Sequence, residues 1–168
     1  MTHFFNAMPA FTHRAPGVFG AAFDQKHVMP EMICDGVHIN PSAVRVVFSL
    51  FGKERMIMIS DSMMATGMED GQYELGGQPV TVVGNLATLT EGGAIAGSAT
   101  NLMDCIRTVV KEMHIPLESA VRCATLNPAK SIGIDDKYGS LEEGKYANAV
   151  VLDKDLNIVS IIQKGQVK

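Results

Sequence analysis

The chain has 168 residues, enough for one domain with a hydrophobic core. Its formal net charge of −4, with no run of Lys or Arg, argues against general nucleic-acid binding. The apolar stretches fall short of the ~20 residues that span a bilayer, and the first residues show neither a basic region nor a cleavage site. We therefore expect a cytoplasmic protein that binds neither nucleic acid nor membranes.

Three short apolar segments predict strands, at residues 2–8, 28–34 and 55–61. A polar loop with Gly and Pro follows the first strand and runs through Gly20. The third strand ends in a carboxylate, Asp61. Polar residues just past strand ends are typical of parallel α/β proteins, in which function lies at the carboxyl ends of the strands.

The sequence predicts one helix between the second and third strands and further helices later in the chain. Asn40 is a predicted cap, Pro41 lies in the first turn, and Gly52 ends the helix. An amphipathic period predicts a second helix from Leu102 to Met113. Two shorter helices are expected to open at Pro116 and at Asn127-Pro128, the last one ending at Gly133.

Two further regions predict strands. Between residues 70 and 97, short apolar pieces alternate with Gly turns and indicate a β excursion. In the tail, residues 147–152 and 158–162 flank the polar turn 153–157. The parallel-type strands are too few for a closed barrel, which needs about eight.

The cysteines are odd in number, far apart and without a CxxC pair: Cys34, Cys105 and Cys123. We therefore expect buried thiols and neither disulfides nor a cysteine-based zinc site.

Four polar residues could carry chemistry, and each has a simpler interpretation. His3 could bind a metal or be a frayed terminal residue, and Arg14 could bind phosphate or be a solvated charge. His38 could bind substrate or cap the next loop. Asp61 could be a general base or cap a short helix. Asp35 is expected to order a turn.

Several motifs follow one another along the chain: Thr2-His3-Phe4-Phe5-Asn6-Ala7-Met8, Arg14 with Pro16-Gly17, Asp35-Gly36-Val37-His38, Ile59-Ser60-Asp61-Ser62 and Ala94-Ile95-Ala96-Gly97-Ser98. Taken in this order, they resemble the N-acetylglucosamine-6-phosphate deacetylases of the amidohydrolase superfamily. Residues 124–129 and 139–145 look like the closing segment of many amidohydrolases, although Asn148 stands where that segment usually has Asp.

The resemblance implies an α/β fold, namely the C-terminal part of a (β/α)8 TIM-type barrel with about strands six to eight. Residues 1–135 would form this partial barrel, with the β excursion at about 70–97. Residues 136–168 would form C-terminal strands of a small β-sandwich domain.

The resemblance also implies site roles. Asp61 would be the catalytic acid and base, and His3 a ligand of one or two divalent metal ions, zinc or iron. The substrate, N-acetylglucosamine 6-phosphate, would be bound by Asn6, Ala7, Arg14, His38, Ala94, Ile95 and Ala96. Arg14 would contact the phosphate, reaching across a dimer interface of a homo-oligomer.

One histidine is too little for a catalytic zinc site, which takes about three protein ligands. The chain alone is therefore expected to bind metal weakly or not at all and to be an incomplete, inactive part of the enzyme. The alternatives are a non-catalytic truncated remnant and a related amidohydrolase acting on another N-acyl sugar or a cyclic amide.

Overall fold

The computed structural model describes residues 1–168, which form a mixed α/β structure. The elements in chain order are α1 (Gly17–Asp24), β1 (Glu31–Ile33), α2 (Pro41–Phe51), β2 (Ile57–Ile59), β3 (Gly71–Leu75), β4 (Gln78–Val83), β5 (Leu86–Leu89), α3 (Leu102–Lys111), α4 (Leu117–Ala124), α5 (Leu126–Ser131), β6 (Ala149–Leu152), β7 (Ile158–Gln163) and β8 (Gln166–Val167). None of the five helices has the length and apolar character needed to cross a membrane.

The strands form three separate sheets. β1 and β2 are parallel, with Met32 opposite Met58, and α2 connects them. β3, β4 and β5 form an antiparallel meander, which confirms the predicted β excursion. β6, β7 and β8 form a second antiparallel sheet in the tail, where β8 had not been predicted.

The strand predicted at residues 2–8 is wrong, because this segment is a series of turns. His3, Phe5 and Ala7 have φ values of 34°, 77° and 55°, which no β-strand allows. The segment nevertheless lies beside β1, since the backbone N–H of Phe4 donates to the Glu31 carbonyl at 2.7 Å. The apolar side chains of this segment reflect its burial, since Phe4 is fully buried. They do not indicate an extended backbone.

The loop predicted through Gly20 is also wrong, because α1 begins within it, at Gly17. Pro16 precedes the first turn, where a missing backbone N–H costs nothing, so it starts the helix and does not break it. Phe19 and Phe23 of α1 then pack against the main core.

The signals for α2 are confirmed. The Asn40 side chain accepts a hydrogen bond from the Ser42 N–H at 2.9 Å, and Pro41 occupies the first turn. Gly52 ends the helix with a φ of 72°, a value that favours glycine, and its N–H donates to the Phe48 carbonyl.

The main core lies between the β1–β2 pair and helices α2, α3 and α4. It includes Met32, Val47, Met58, Val109, Met113 and the three cysteines. The cysteines are buried and free, as predicted. Burial raises the pKa of Cys105 and of Cys123 to about 12 and that of Cys34 well above its usual value, so all three thiols stay protonated.

Asn127 was predicted to open the last helix, but α5 begins one residue earlier, at Leu126. The Asn127 side chain makes no cap. It is fully buried and donates to the Lys53 carbonyl at 2.7 Å and to the Met56 carbonyl at 2.6 Å. Its amide therefore ties α5 to the residues that lead into β2.

The tail sheet is fastened to α3 through the turn between β6 and β7. The Arg107 side chain donates to the Leu156 carbonyl at 3.0 Å, and Lys111 donates to the Asp155 carbonyl at 2.8 Å. Apolar side chains of this sheet remain exposed, among them Val150 and Val159.

Candidate active-site cleft

Asp61 lies two residues past the end of β2 and is held there by its backbone. Its carbonyl accepts a hydrogen bond from the Ser98 N–H at 3.1 Å, and the Met63 N–H donates to the Ser98 carbonyl at 2.8 Å. Asp61 has a φ of 53°, in the left-handed region that only a minority of non-glycine residues adopt. The backbone pairing with Ser98 stabilises this strained position and leaves the carboxylate exposed.

His3 is oriented by a local hydrogen bond. Its Nδ1 lies 3.0 Å from the carbonyl oxygen of Asn6, which can only accept, so Nδ1 carries the proton in the neutral ring. Nε2 is then left with a free lone pair. Histidines that bind metals commonly have this arrangement, in which one ring nitrogen donates to a backbone carbonyl and the other is free.

His38 is held by a buried carboxylate. One oxygen of Asp35, Oδ1, accepts from the N–H groups of Val37 and His38, each at 2.9 Å. The other oxygen, Oδ2, lies 2.7 Å from His38 Nδ1. The Asp35 side chain is 0% exposed and that of His38 is 6% exposed. The hydrogen bonds of Oδ1 with the backbone confirm that Asp35 orders the turn. The contact of Oδ2 with the His38 ring had not been predicted.

These contacts shift both pKa values. The hydrogen bond to Asp35 raises the pKa of His38 against the opposing effect of burial. The charges of Asp35 and Asp61 and the backbone of Gly97 act in the same direction as this hydrogen bond. Burial by itself would raise the pKa of Asp35, but the hydrogen bonds from the His38 ring and from the backbone outweigh it and lower that pKa.

Six of the nine predicted site residues line one open cleft of about 210 Å³. They are His3, Asn6, Ala7, His38, Asp61 and Ile95. Ile33 and Gly97 complete the lining and had not been predicted as site residues. Ile33 is the last residue of β1, and its position at the carboxyl end of a strand could have identified it as a site residue. A Cβ on Gly97 would lie 3.2 Å from Met63, which shows how closely this loop approaches its neighbours.

Three predicted residues do not line the cleft. Arg14 lies in an exposed loop, where the neighbouring Thr12 hydroxyl accepts a hydrogen bond from the Ala15 N–H. Ala94 and Ala96 are paired through their backbone with β5.

The resemblance implies a divalent metal, for which the side chains near the cleft would have to supply the ligands. No three His, Cys, Asp or Glu side chains of residues 1–168 lie close enough together to hold a metal ion. A tightly bound catalytic metal takes about three protein ligands, so the residues of this chain do not fit one by themselves.

Comparison with known proteins shows the family of the chain. The model of the amidohydrolase family matches residues 2–168, and the chain therefore belongs to the amidohydrolase family. Within it, the chain is similar to N-acetylglucosamine-6-phosphate deacetylases. The deacetylase of Vibrio furnissii is 39% identical over 166 residues, which are 99% of this chain and 41% of that protein.

A solved structure gives the same result. It is a mutant of the N-acetyl-D-glucosamine-6-phosphate deacetylase of Mycobacterium smegmatis in complex with N-acetyl-D-glucosamine-6-phosphate. The TM-score is 0.93 at 37% identity, over 98% of this chain and 44% of that one. The chain thus spans about two fifths of these relatives.

One relative is of matching length. A putative N-acetylgalactosamine-6-phosphate deacetylase of Escherichia coli (strain K12) is 37% identical over 164 residues, which are 98% of this chain and 97% of that protein.

Proposed function

We propose that this chain supplies the Asp61 side of an active site that hydrolyses N-acetylglucosamine 6-phosphate to glucosamine 6-phosphate and acetate. The observation that carries the proposal is the cleft itself. His38 follows β1 and Asp61 follows β2, and because the two strands are parallel, their carboxyl ends meet at one edge, where His3 joins them. Function lies at this edge in parallel α/β proteins.

The proposed chemistry uses Asp61 as both base and acid. Its carboxylate accepts a proton from the attacking water as the water oxygen bonds to the amide carbon, and returns it to the amine nitrogen as the C–N bond breaks. Asn6 and His38 line the same cleft and would hydrogen-bond the sugar. The proposed cofactor is a divalent metal, zinc or iron. His3 would give one ligand, and the other ligands would come from residues that this chain does not contain.

We propose that residues 1–135 correspond to about strands six to eight of a (β/α)8 barrel and that residues 136–168 belong to a small β domain. We also propose a homo-oligomer in which Arg14 binds the phosphate, because a planar guanidinium on an exposed loop can reach a neighbouring subunit's cleft.

The test is acetate release from N-acetylglucosamine 6-phosphate with added Zn²⁺ or Fe²⁺. The chain is assayed alone and after fusion to the part of the Vibrio furnissii relative that has no counterpart in this chain. We expect release only by the fusion. Asp61→Asn should lower kcat by about 10³-fold, since it removes the proton acceptor. The matched control is Asp136→Asn, at an exposed loop residue, which should leave kcat unchanged.

If the chain alone released acetate as fast as an active fusion, the proposal that its active site is incomplete would be contradicted. A fusion that turns over with unchanged kcat after Asp61→Asn would contradict the assignment of the base.

The phosphate assignment has its own test in the fusion. Arg14→Ala should raise KM by about tenfold for N-acetylglucosamine 6-phosphate and little for the unphosphorylated sugar, because a charge-assisted contact is worth about 1.5–3 kcal/mol. Arg45→Ala, which removes another exposed guanidinium, is the control. Equal effects on both sugars would refute a phosphate contact.

N-acetylgalactosamine 6-phosphate is the second candidate substrate, favoured by the relative of matching length from Escherichia coli. Assaying both sugar phosphates in the same fusion decides between them by the ratio of kcat/KM.

A further inference from the structure

We propose that Asp35 is a positioning residue for the cleft: it holds the proton of the His38 ring on Nδ1, so that Nε2 is presented to a ligand oxygen in the cleft. The inference concerns a residue outside the cleft lining. Its NMR test does not depend on the proposed function, whereas its kinetic test rests on that function.

The two oxygens of the Asp35 carboxylate have different hydrogen-bond partners. Oδ1 is occupied by the backbone N–H groups of Val37 and His38, which close the turn after β1. Oδ2 is free of the backbone and lies 2.7 Å from His38 Nδ1. An ionised carboxylate accepts and does not donate, so Nδ1 must carry a proton in both the neutral and the charged ring.

Burial makes this choice of tautomer strict. The Asp35 side chain is 0% exposed, so water cannot take the place of the His38 proton on Oδ2. Since Nδ1 is always protonated, the ring gains and loses its second proton at Nε2. His38 itself lines the cleft, together with Asp61 and the Gly97 loop. The ring therefore meets a ligand with Nε2, as an acceptor when neutral and as a donor when charged, and the Gly97 backbone in the same cleft likewise favours the charged ring.

Asp35→Asn distinguishes this role from the turn. Asparagine keeps an oxygen for the two backbone N–H groups and is favoured in such turns. In place of Oδ2 it puts an NH₂ group, which can only donate. Nδ1 of His38 must then accept, so the proton of the neutral ring moves to Nε2.

The direct measurement is long-range ¹H–¹⁵N correlation NMR of the full 168-residue chain labelled at histidine, at about pH 9, well above the usual histidine pKa. The His38 signals are assigned by their loss in His38→Gln. We expect the Nδ1–H tautomer in the wild type and the Nε2–H tautomer in Asp35→Asn. His3, whose Nδ1 faces a carbonyl independent of Asp35, should keep its tautomer in both.

The same His38 tautomer in wild type and Asp35→Asn would overturn the proposal. Should Asp35→Asn fail to fold, Asp35→Ser replaces it, since a serine hydroxyl still accepts from the turn and no longer reaches Nδ1. The ring should then populate both tautomers, and retention of a pure Nδ1–H form would again refute the role of Asp35.

The kinetic test uses the fusion described above. Asp35→Asn should lower kcat/KM by about tenfold, as is common for residues that orient an active-site imidazole. Because Asp35 acts through His38, the double variant with His38→Gln should be no worse than His38→Gln alone. Additive losses would indicate a purely structural role and overturn the proposal. An inactive fusion would count against the proposed function, and the NMR result would still decide the role of Asp35.

Discussion

Asn127→Ala tests how the helical region is fastened to β2. The Asn127 side chain is fully buried in α5, and its Nδ2 donates to the carbonyls of Lys53 and Met56, at 2.7 and 2.6 Å. Both acceptors lie just before β2, which leads to Asp61. Removing the amide leaves the buried Met56 carbonyl and the partly buried Lys53 carbonyl without this donor.

The expected loss follows from these contacts. Each hydrogen bond contributes about 1 kcal/mol net, and the missing side chain also leaves unfilled space. The Asn127 Oδ1 has no partner, so its removal returns part of this loss. We therefore expect the free energy of unfolding to fall by about 2–3 kcal/mol and the Tm by about 4–12 °C. Urea unfolding followed by far-UV circular dichroism measures the first quantity, and thermal unfolding the second.

Two further variants make the result decisive. Asn127→Asp keeps the shape but points acceptors at two carbonyl oxygens, so it should cost more than Asn127→Ala, about 4 kcal/mol or above. Asn85→Ala, in the exposed turn between β4 and β5, should change stability by less than about 0.5 kcal/mol. The reasoning fails if Asn127→Ala is as mild as Asn85→Ala, or if Asn127→Asp is no worse than Asn127→Ala.

Two other predictions concern stability. Gly139→Ala should lower the free energy of unfolding by about 3 kcal/mol, because at a φ of 91° its Cβ would lie 2.9 Å from the Leu126 Cα. Gly144→Ala, with a φ of 88° and open space around it, should lose only about 1 kcal/mol, and equal losses would refute the packing argument. Because folding lowers the pKa of Asp35, its ionised carboxylate stabilises the fold above pH 3.8, and this stability is lost as the pH falls through the pKa of Asp35 in the folded protein. Because folding raises the pKa of His38, its charged ring stabilises the fold below pH 6.5, and this stability is lost as the pH rises through the pKa of His38 in the folded protein. The stability difference between wild type and His38→Gln, measured by urea unfolding across pH, should therefore be largest between pH 3.8 and 6.5, and a difference independent of pH would contradict the ion pair.

Local signals in the chain were interpreted correctly where the interaction itself is local. Asn40, Pro41 and Gly52 bound α2 as predicted, because a cap and a helix end depend on neighbours one to four residues away. The turn role of Asp35 was predicted for the same reason.

The errors came from signals with two physical meanings. The apolar residues at 2–8 indicated a strand. Apolar side chains show only that a segment is buried, however, and the positive φ values of His3, Phe5 and Ala7 make this buried segment a series of turns. Pro16 and Gly20 indicated a loop, yet a proline before a first turn starts a helix. Asn127 with Pro128 indicated the start of a helix, but α5 begins one residue earlier, and the Asn127 amide donates to carbonyls more than seventy residues earlier in the chain.

By itself, the sequence determined the element types except at residues 2–8 and in α1, together with the ends of α2, the buried thiols and, through its motifs, the resemblance to a deacetylase. Only the tertiary structure decided which side chains meet in the cleft. His3, His38, Asp61 and Ile95 come together because β1 and β2 pair in parallel and the Ser98 backbone pairs beside Asp61. The link from Asp35 to the His38 ring spans only three residues and is local, although it had not been predicted. Periodicity and capping act over a few residues, whereas the contacts that form the cleft depend on how whole elements pack.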